Sequence, residues 1–112
     1  MAEFVNVKKV KEWTMEGYPG QYLKNVVTQA DGIGFGLHWV RLTPGSVLPD
    51  HQHEGIELCY FLAGEGTAKM AGKRRKITAD TAIVVPGGVT HSVKNTGKKT
   101  MKILALFVPA LI

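Results

Sequence analysis

The sequence predicts an all-β fold, a barrel or sandwich of many short strands, and three features carry that expectation. Strand-like runs recur at regular spacing. Turn-forming pairs separate them, among them Pro19-Gly20, Asp31-Gly32, Pro44-Gly45 and Pro86-Gly87. Nowhere do apolar residues recur at intervals of three and four over several turns, as an amphipathic helix requires. At 112 residues the chain is one domain's worth and can bury roughly two thirds of its unfolded surface, so its core needs no staples.

Taken in order, the runs are residues 4–10, 22–29, 36–43, 57–62, 67–71, 74–78, 82–85, 91–95 and 101–108. Residues 67–78 read as a hairpin turning near Gly72 and Lys73. Residues 11–20 are the least regular, either a short helix or a loop crossing the barrel end. Residues 1–34 form an N-terminal strand-and-loop region ahead of a motif-bearing core at 45–95, and no linker or repeat divides residues 1–112. The last run is apolar on both faces after Lys102, and a strand buried on both sides needs a second partner. That partner is either a second copy, giving a homodimer, or the chain's own N-terminal strand.

Apolar residues make up 45% and charged residues 21%, which excludes a disordered or collagen-like chain. The single cysteine, Cys59, cannot form an intramolecular disulfide, which fits a reducing compartment. No basic start followed by an apolar run resembles a signal peptide, and residues 103–112, interrupted by Pro109, are too short to span a bilayer as a helix. The expectation is a cytoplasmic protein with no membrane partner. The net charge of +5 concentrates in Lys73-Arg74-Arg75-Lys76 and in Lys98, Lys99 and Lys102. No aromatic residues interleave with these clusters to stack on bases, so they are expected to be solvated strand and turn residues, with no nucleic-acid partner.

Two of the four histidines form His51-Gln52-His53. Residues two apart on a strand share a face, so an inward pair brings two imidazoles together. Glu57 follows a turn at Glu54-Gly55 and reaches the same space if the next strand returns alongside. His91 starts another strand after Pro86-Gly87-Gly88. Three imidazoles and a carboxylate facing one point are costly without a partner, and a divalent cation resolves the cost. The expectation is one divalent transition metal ion (Mn, Fe, Ni, Zn or Cu) on His51, His53, Glu57 and His91. The lack of a thiolate among them argues against a structural zinc cluster.

Over this stretch the sequence resembles the cupin family. The family's first motif reads glycine, five residues, His-x-His, three or four residues, glutamate, six residues, glycine. Gly45, His51, His53, Glu57 and Gly64 stand at those spacings. The second motif is matched by Pro86, Gly88, His91 and Asn95, with Asp80 where the family usually has glycine; aspartate tolerates a left-handed turn better than most residues. The resemblance implies a jelly-roll barrel (a double-stranded β-helix), a mononuclear metal on the four residues above, and very often a homodimer. Asn95 and the glycines come over as structural positions.

The resemblance also implies a metalloenzyme acting on a small organic molecule in the barrel, of dioxygenase, isomerase or sugar-acid type. The alternative is a metal-dependent module that binds or senses a small ligand without turnover. His38 and Glu54 are the candidate acid–base residues. His38 can relay a proton near physiological pH if it faces inward; if the opposite parity faces inward, Arg41 anchors an anionic substrate instead. Glu54 sits near the barrel mouth. Cys59 and Phe61 share the parity of Glu57 and should point inward. Cys59 is either core packing or a direct participant, and a thiol beside reactive iron would risk oxidation, which weighs against oxygen chemistry. Ile83, Val85, Val93, Ile103, Ala105 and Phe107 should make the pocket or its floor mostly apolar.

Overall fold

The structure, a computed structural model, describes residues 3–112. Its strands are β1 (Glu12–Trp13), β2 (Gln21–Val27), β3 (Gly36–Leu42), β4 (Val47–His51), β5 (Ile56–Ala63), β6 (Gly66–Met70), β7 (Lys73–Ile77), β8 (Thr81–Val85), β9 (His91–Asn95) and β10 (Met101–Val108). They form a six-stranded sheet in the order β1-β2-β3-β10-β5-β8 and a four-stranded sheet in the order β4-β9-β6-β7. All pairings are antiparallel. This is the all-β jelly roll the sequence predicts, with the core held between the two sheets.

The period-two pattern explains the layering. Along β3, His38, Val40 and Leu42 are buried while Leu37, Trp39 and Arg41 face outward, half-buried. Along β5, Glu57, Cys59 and Phe61 turn inward as their parity predicts. β10 runs between β3 and β5, placing Ile103 beside Val40 on one side and Phe61 on the other. Phe61, Leu42, Met101 and Ile77 close one end of the barrel with almost no exposure.

β10 is therefore the centre of the larger sheet, and the strand expected at residues 4–10 does not form. Phe4 is fully exposed, and the Asn6 side chain accepts the Lys8 N–H at 3.1 Å, capping a 3-10 turn at Val7–Lys9. An alternating pattern makes a strand only where a neighbour is free to pair, and β1 already occupies the edge beside β2. Residues 11–20, expected as a helix or loop, contain that two-residue strand. β4 is absent from the expected runs because Pro49 and Asp50 read as breakers. It lies at the edge of the smaller sheet, where a residue without an N–H is tolerated.

The hairpin of β6 and β7 turns at Ala71 and Gly72, both with positive φ, closing on the Met70–Lys73 pair. The basic run of β7 is exposed on the opposite edge of the same sheet, where lysine and arginine discourage edge-to-edge pairing. Gly87 is required for a close approach: a Cβ there would collide with the Glu54 carbonyl. That contact ties the β8–β9 turn to the β4–β5 connection, the two segments that carry the site.

Candidate metal centre

His51 and His91 are direct cross-strand partners on β4 and β9, with ring centroids 4.0 Å apart. His53 lies just beyond β4, and Glu57 reaches across from β5 in the opposite sheet. One donor atom from each of the four lies within 4.8 Å of all the others. Glu57 Oε1 stands 2.9 Å from Nε2 of His53 and 2.9 Å from Nε2 of His91. The four expected residues thus meet at one end of the barrel, bridging its two sheets.

The backbone fixes how each imidazole faces. Nδ1 of His51 meets the Pro49 carbonyl at 2.9 Å, that of His53 the Gly55 carbonyl at 3.0 Å, and that of His91 the Val89 carbonyl at 2.9 Å. A carbonyl only accepts, so each Nδ1 carries the hydrogen and donates it. In the neutral ring each Nε2 then presents a lone pair to the centre. There the lone pairs converge on a carboxylate that also only accepts. Something positive must lie among them, a shared proton or a divalent cation. Backbone carbonyls behind Nδ1 are the contacts that orient metal-binding histidines, so the donor set fits the expected ion.

The electrostatics agree. Burial works to raise the Glu57 carboxyl, but hydrogen bonds from His91, Cys59 and His53 outweigh it and hold it down to about 2. Burial opposes charge on His91, yet the bond to Glu57, the Val89 carbonyl and the charge of Glu57 together raise it above the ordinary histidine value. For His51 burial prevails, and its pKa falls. Cys59 donates its thiol hydrogen to Glu57 Oε2 at 3.0 Å. Burial, and then the neighbouring Glu57 charge, push that thiol well up, so it stays protonated.

The cluster opens onto a cavity of about 190 Å³ between the sheets. Val93, Ile103, Ala105 and Phe107 line it as expected, joined by Leu23 and Val40. Ile83 packs against the core beneath, and Val85 is buried. His38 lines the cavity and is 1% exposed, with Nδ1 2.9 Å from Asn25 Oδ1. This settles the parity of β3. Arg41 faces outward, forms two bonds to Glu12 at 2.8 and 2.9 Å and lies 3.9 Å over the Tyr22 ring. The alternative of Arg41 as a substrate anchor inside the barrel is therefore corrected. Glu54 is exposed and lines a second cavity with Gln29 and Pro109, one that shares His53 and Phe107 with the first.

Among the residues that escaped the sequence reading are Gln21 and Asn25 on β2. Gln21 is buried in the cavity wall, and Asn25 holds His38 from the neighbouring strand. Both share the parity of Leu23 on β2, and polar residues on an apolar face were the available signal.

A family model described as Cupin domain matches residues 38–107. An oxalate-binding protein of Thermotoga maritima is 37% identical over 70 residues, which is 62% of this chain and 58% of that protein. This chain thus matches little more than half the length of that relative. Among solved structures, one described as a predicted oxalate decarboxylase from Thermotoga maritima superposes with a TM-score of 0.86 at 24% identity, covering 96% of this chain and 99% of that one. The polyketide cyclase RemF from Streptomyces resistomycificus superposes with a TM-score of 0.85 at 21% identity, over 100% and 87% of the two chains.

Proposed function

The chain belongs to the cupin family, and on that premise we propose that it is a metalloenzyme acting on a small organic molecule at one divalent transition metal ion held by His51, His53, Glu57 and His91. The observation that carries this reading is the convergence of three Nε2 lone pairs and Glu57 Oε1 within 4.8 Å, each imidazole locked from behind by a carbonyl. A bound divalent ion supplies Lewis acidity toward an oxygen of the substrate. The chain supplies the rest. Phe107, Val93 and Ile103 exclude water from the substrate's apolar part, and His38 lines the same cavity beside Phe107. Of the two acid–base candidates the cavity favours His38, since Glu54 lies outside it. The Cys59 thiol, bonded to a ligand carboxylate, favours isomerase- or lyase-type chemistry over oxygen activation.

The second reading, a binding module without turnover, is supported by the name of the oxalate-binding relative. Metal analysis of untagged protein purified without added metal tests the shared premise. His53→Ala should lower metal content severalfold, and wild-type content in that variant would remove His53 from the ligand set. Oxalate then separates the two readings: turnover supports the enzyme, and thermal stabilisation with no product supports the module.

A homodimer fits the outer face of the larger sheet, where Leu58, Tyr60, Leu62, Val84, Leu104 and Leu106 are exposed or half-buried. Apolar area of that kind marks an interaction surface. Sedimentation equilibrium should show a dimer that Leu104→Lys converts to monomer; a monomeric wild type at micromolar concentration would refute the assembly.

A further inference from the structure

Two buried side-chain atoms have no hydrogen-bond partner among the described residues, His38 Nε2 and Gln21 Oε1, and both side chains line the cavity beside the four-residue cluster. For His38 the state of that nitrogen follows from a short chain of bonds. Trp13 Nε1 donates to Asn25 Oδ1 at 3.0 Å. An indole N–H only donates, so the Asn25 atom it meets is the oxygen. The same oxygen lies 2.9 Å from His38 Nδ1, so Nδ1 must carry a hydrogen and donate it. Burial lowers the pKa of His38, despite the opposing charge of Glu57, and favours the neutral ring. A neutral ring protonated at Nδ1 has a bare acceptor at Nε2.

Resting on the metal reading above, we propose that His38 Nε2 is a fixed acceptor for a hydroxyl group of the cavity's ligand. The ligand class is then a small molecule with an oxygen for the metal and a hydroxyl that reaches His38. Phe107 stands edge-on to both rings, with centroids 5.6 Å from His38 and 5.3 Å from His53, and forms the apolar wall between the two polar ends. Gln21 does not choose between donors and acceptors, because its amide offers either an oxygen or an NH₂. His38 does choose. An ammonium donor is disfavoured once a bound cation neutralises Glu57, since the apolar wall and a neutral imidazole provide no other countercharge. His38 is in this sense a specificity residue, and a group that merely filled space would not discriminate.

Three probes of similar shape test this on the full chain, metal-free and Zn²⁺-loaded: phenol, anisole without the O–H, and benzylamine with an ammonium. Long-range ¹H–¹⁵N NMR of the free chain should show His38 protonated at Nδ1 and bare at Nε2. Phenol should move the Nε2 resonance and bind about threefold to tenfold more tightly than anisole, the worth of one net hydrogen bond. Benzylamine should bind the Zn²⁺-loaded chain no more tightly than anisole. His38→Phe should erase the phenol preference while leaving anisole affinity within about twofold. A protonated Nε2, an unmoved Nε2 resonance with phenol, tighter benzylamine binding to the Zn²⁺-loaded chain, or a phenol preference that survives His38→Phe would overturn the proposal. Should His38→Phe fail to fold, the wild-type resonance and the probe affinities still decide. Failure of Zn²⁺ to bind would undo the metal reading and leave the His38 result standing, because the metal-free arm reads the same nitrogen.

Discussion

His91 and Asn95 both point into the barrel from β9, four residues apart, and the chain treats them differently. Asn95 is fully buried at the closed end. Its Nδ2 donates to the Leu42 and Lys99 carbonyls at 2.8 and 2.9 Å, and its Oδ1 accepts the Gly97 N–H at 3.0 Å. Each polar atom has found a partner of the right sense. At the open end His91 Nε2 faces Glu57 Oε1 at 2.9 Å with its other nitrogen already committed to Val89. There the chain brings together a carboxylate and imidazoles that in their neutral form only accept, and a shared proton or a cation must supply the positive partner. A buried polar group satisfied by its own chain belongs to the fold; one aimed at other lone pairs belongs to a ligand.

The sharpest way to break this contrast is to remove Asn95. Asn95→Leu strands the Leu42 and Lys99 carbonyls and the Gly97 N–H, and each unsatisfied buried group costs about 1–3 kcal/mol. We expect a loss of about 3–4 kcal/mol in urea unfolding of the metal-free chain, with the metal stoichiometry of the folded fraction unchanged. His51→Leu, at the open end, should do the reverse. It removes one ligand and most of the bound metal, yet changes metal-free stability by less than about 1 kcal/mol, because it deletes one of the converging lone pairs. Equal destabilisation by the two would collapse the distinction.

A second measurement uses pH. The Glu57 carboxyl lies at about 2, against an ordinary 4.5, so the native metal-free chain binds fewer protons there than the unfolded chain. Its contribution is complete above 4.5 and disappears as pH falls toward 2. His91 is raised above 6.5, so its contribution is complete below 6.5 and disappears as pH rises through the folded value. The Glu57–His91 pair therefore contributes most to the metal-free chain between those two limits. The difference in urea midpoint between wild type and Glu57→Gln should be largest there, shrinking on both the acid and the alkaline side. A flat difference from pH 3 to 8 would show that the pair stores no protonation energy.

The same contrast explains what the sequence could reveal. The convergence of four side chains was legible because His51, His53, Glu57 and His91 sit on short segments whose parity and turns are local features. Cys59 and Phe61 followed from Glu57 by the same parity. The register of β3 was not legible. His38 faces inward because β3 pairs with β2 on one side and β10 on the other, and β10 begins some sixty residues later in the chain. β4 was hidden by Pro49, which an edge position tolerates, and the very carbonyl of Pro49 orients His51. Residues 4–10 failed in the opposite sense, since their alternation was genuine but no strand edge was left to receive it.

The smallest expected effect concerns Cys59, which sits between the two kinds of buried group. Its thiol donates to Glu57 Oε2 at 3.0 Å, leaving Oε1 alone to face the imidazoles. The thiol is thus satisfied by the chain, like Asn95, while its partner belongs to the site, like His91. Contacts that hold a ligand residue from behind are commonly worth about tenfold or more in metal affinity. A thiol is a weak donor, so Cys59→Ala should weaken Zn²⁺ binding by about threefold to tenfold in competition with a chromogenic chelator. Cys59→Ser restores a donor of nearly the same size and should recover most of that loss. If serine and alanine weaken binding equally, Cys59 acts through packing against the core, and Glu57 needs no hydrogen bond at Oε2 to present Oε1.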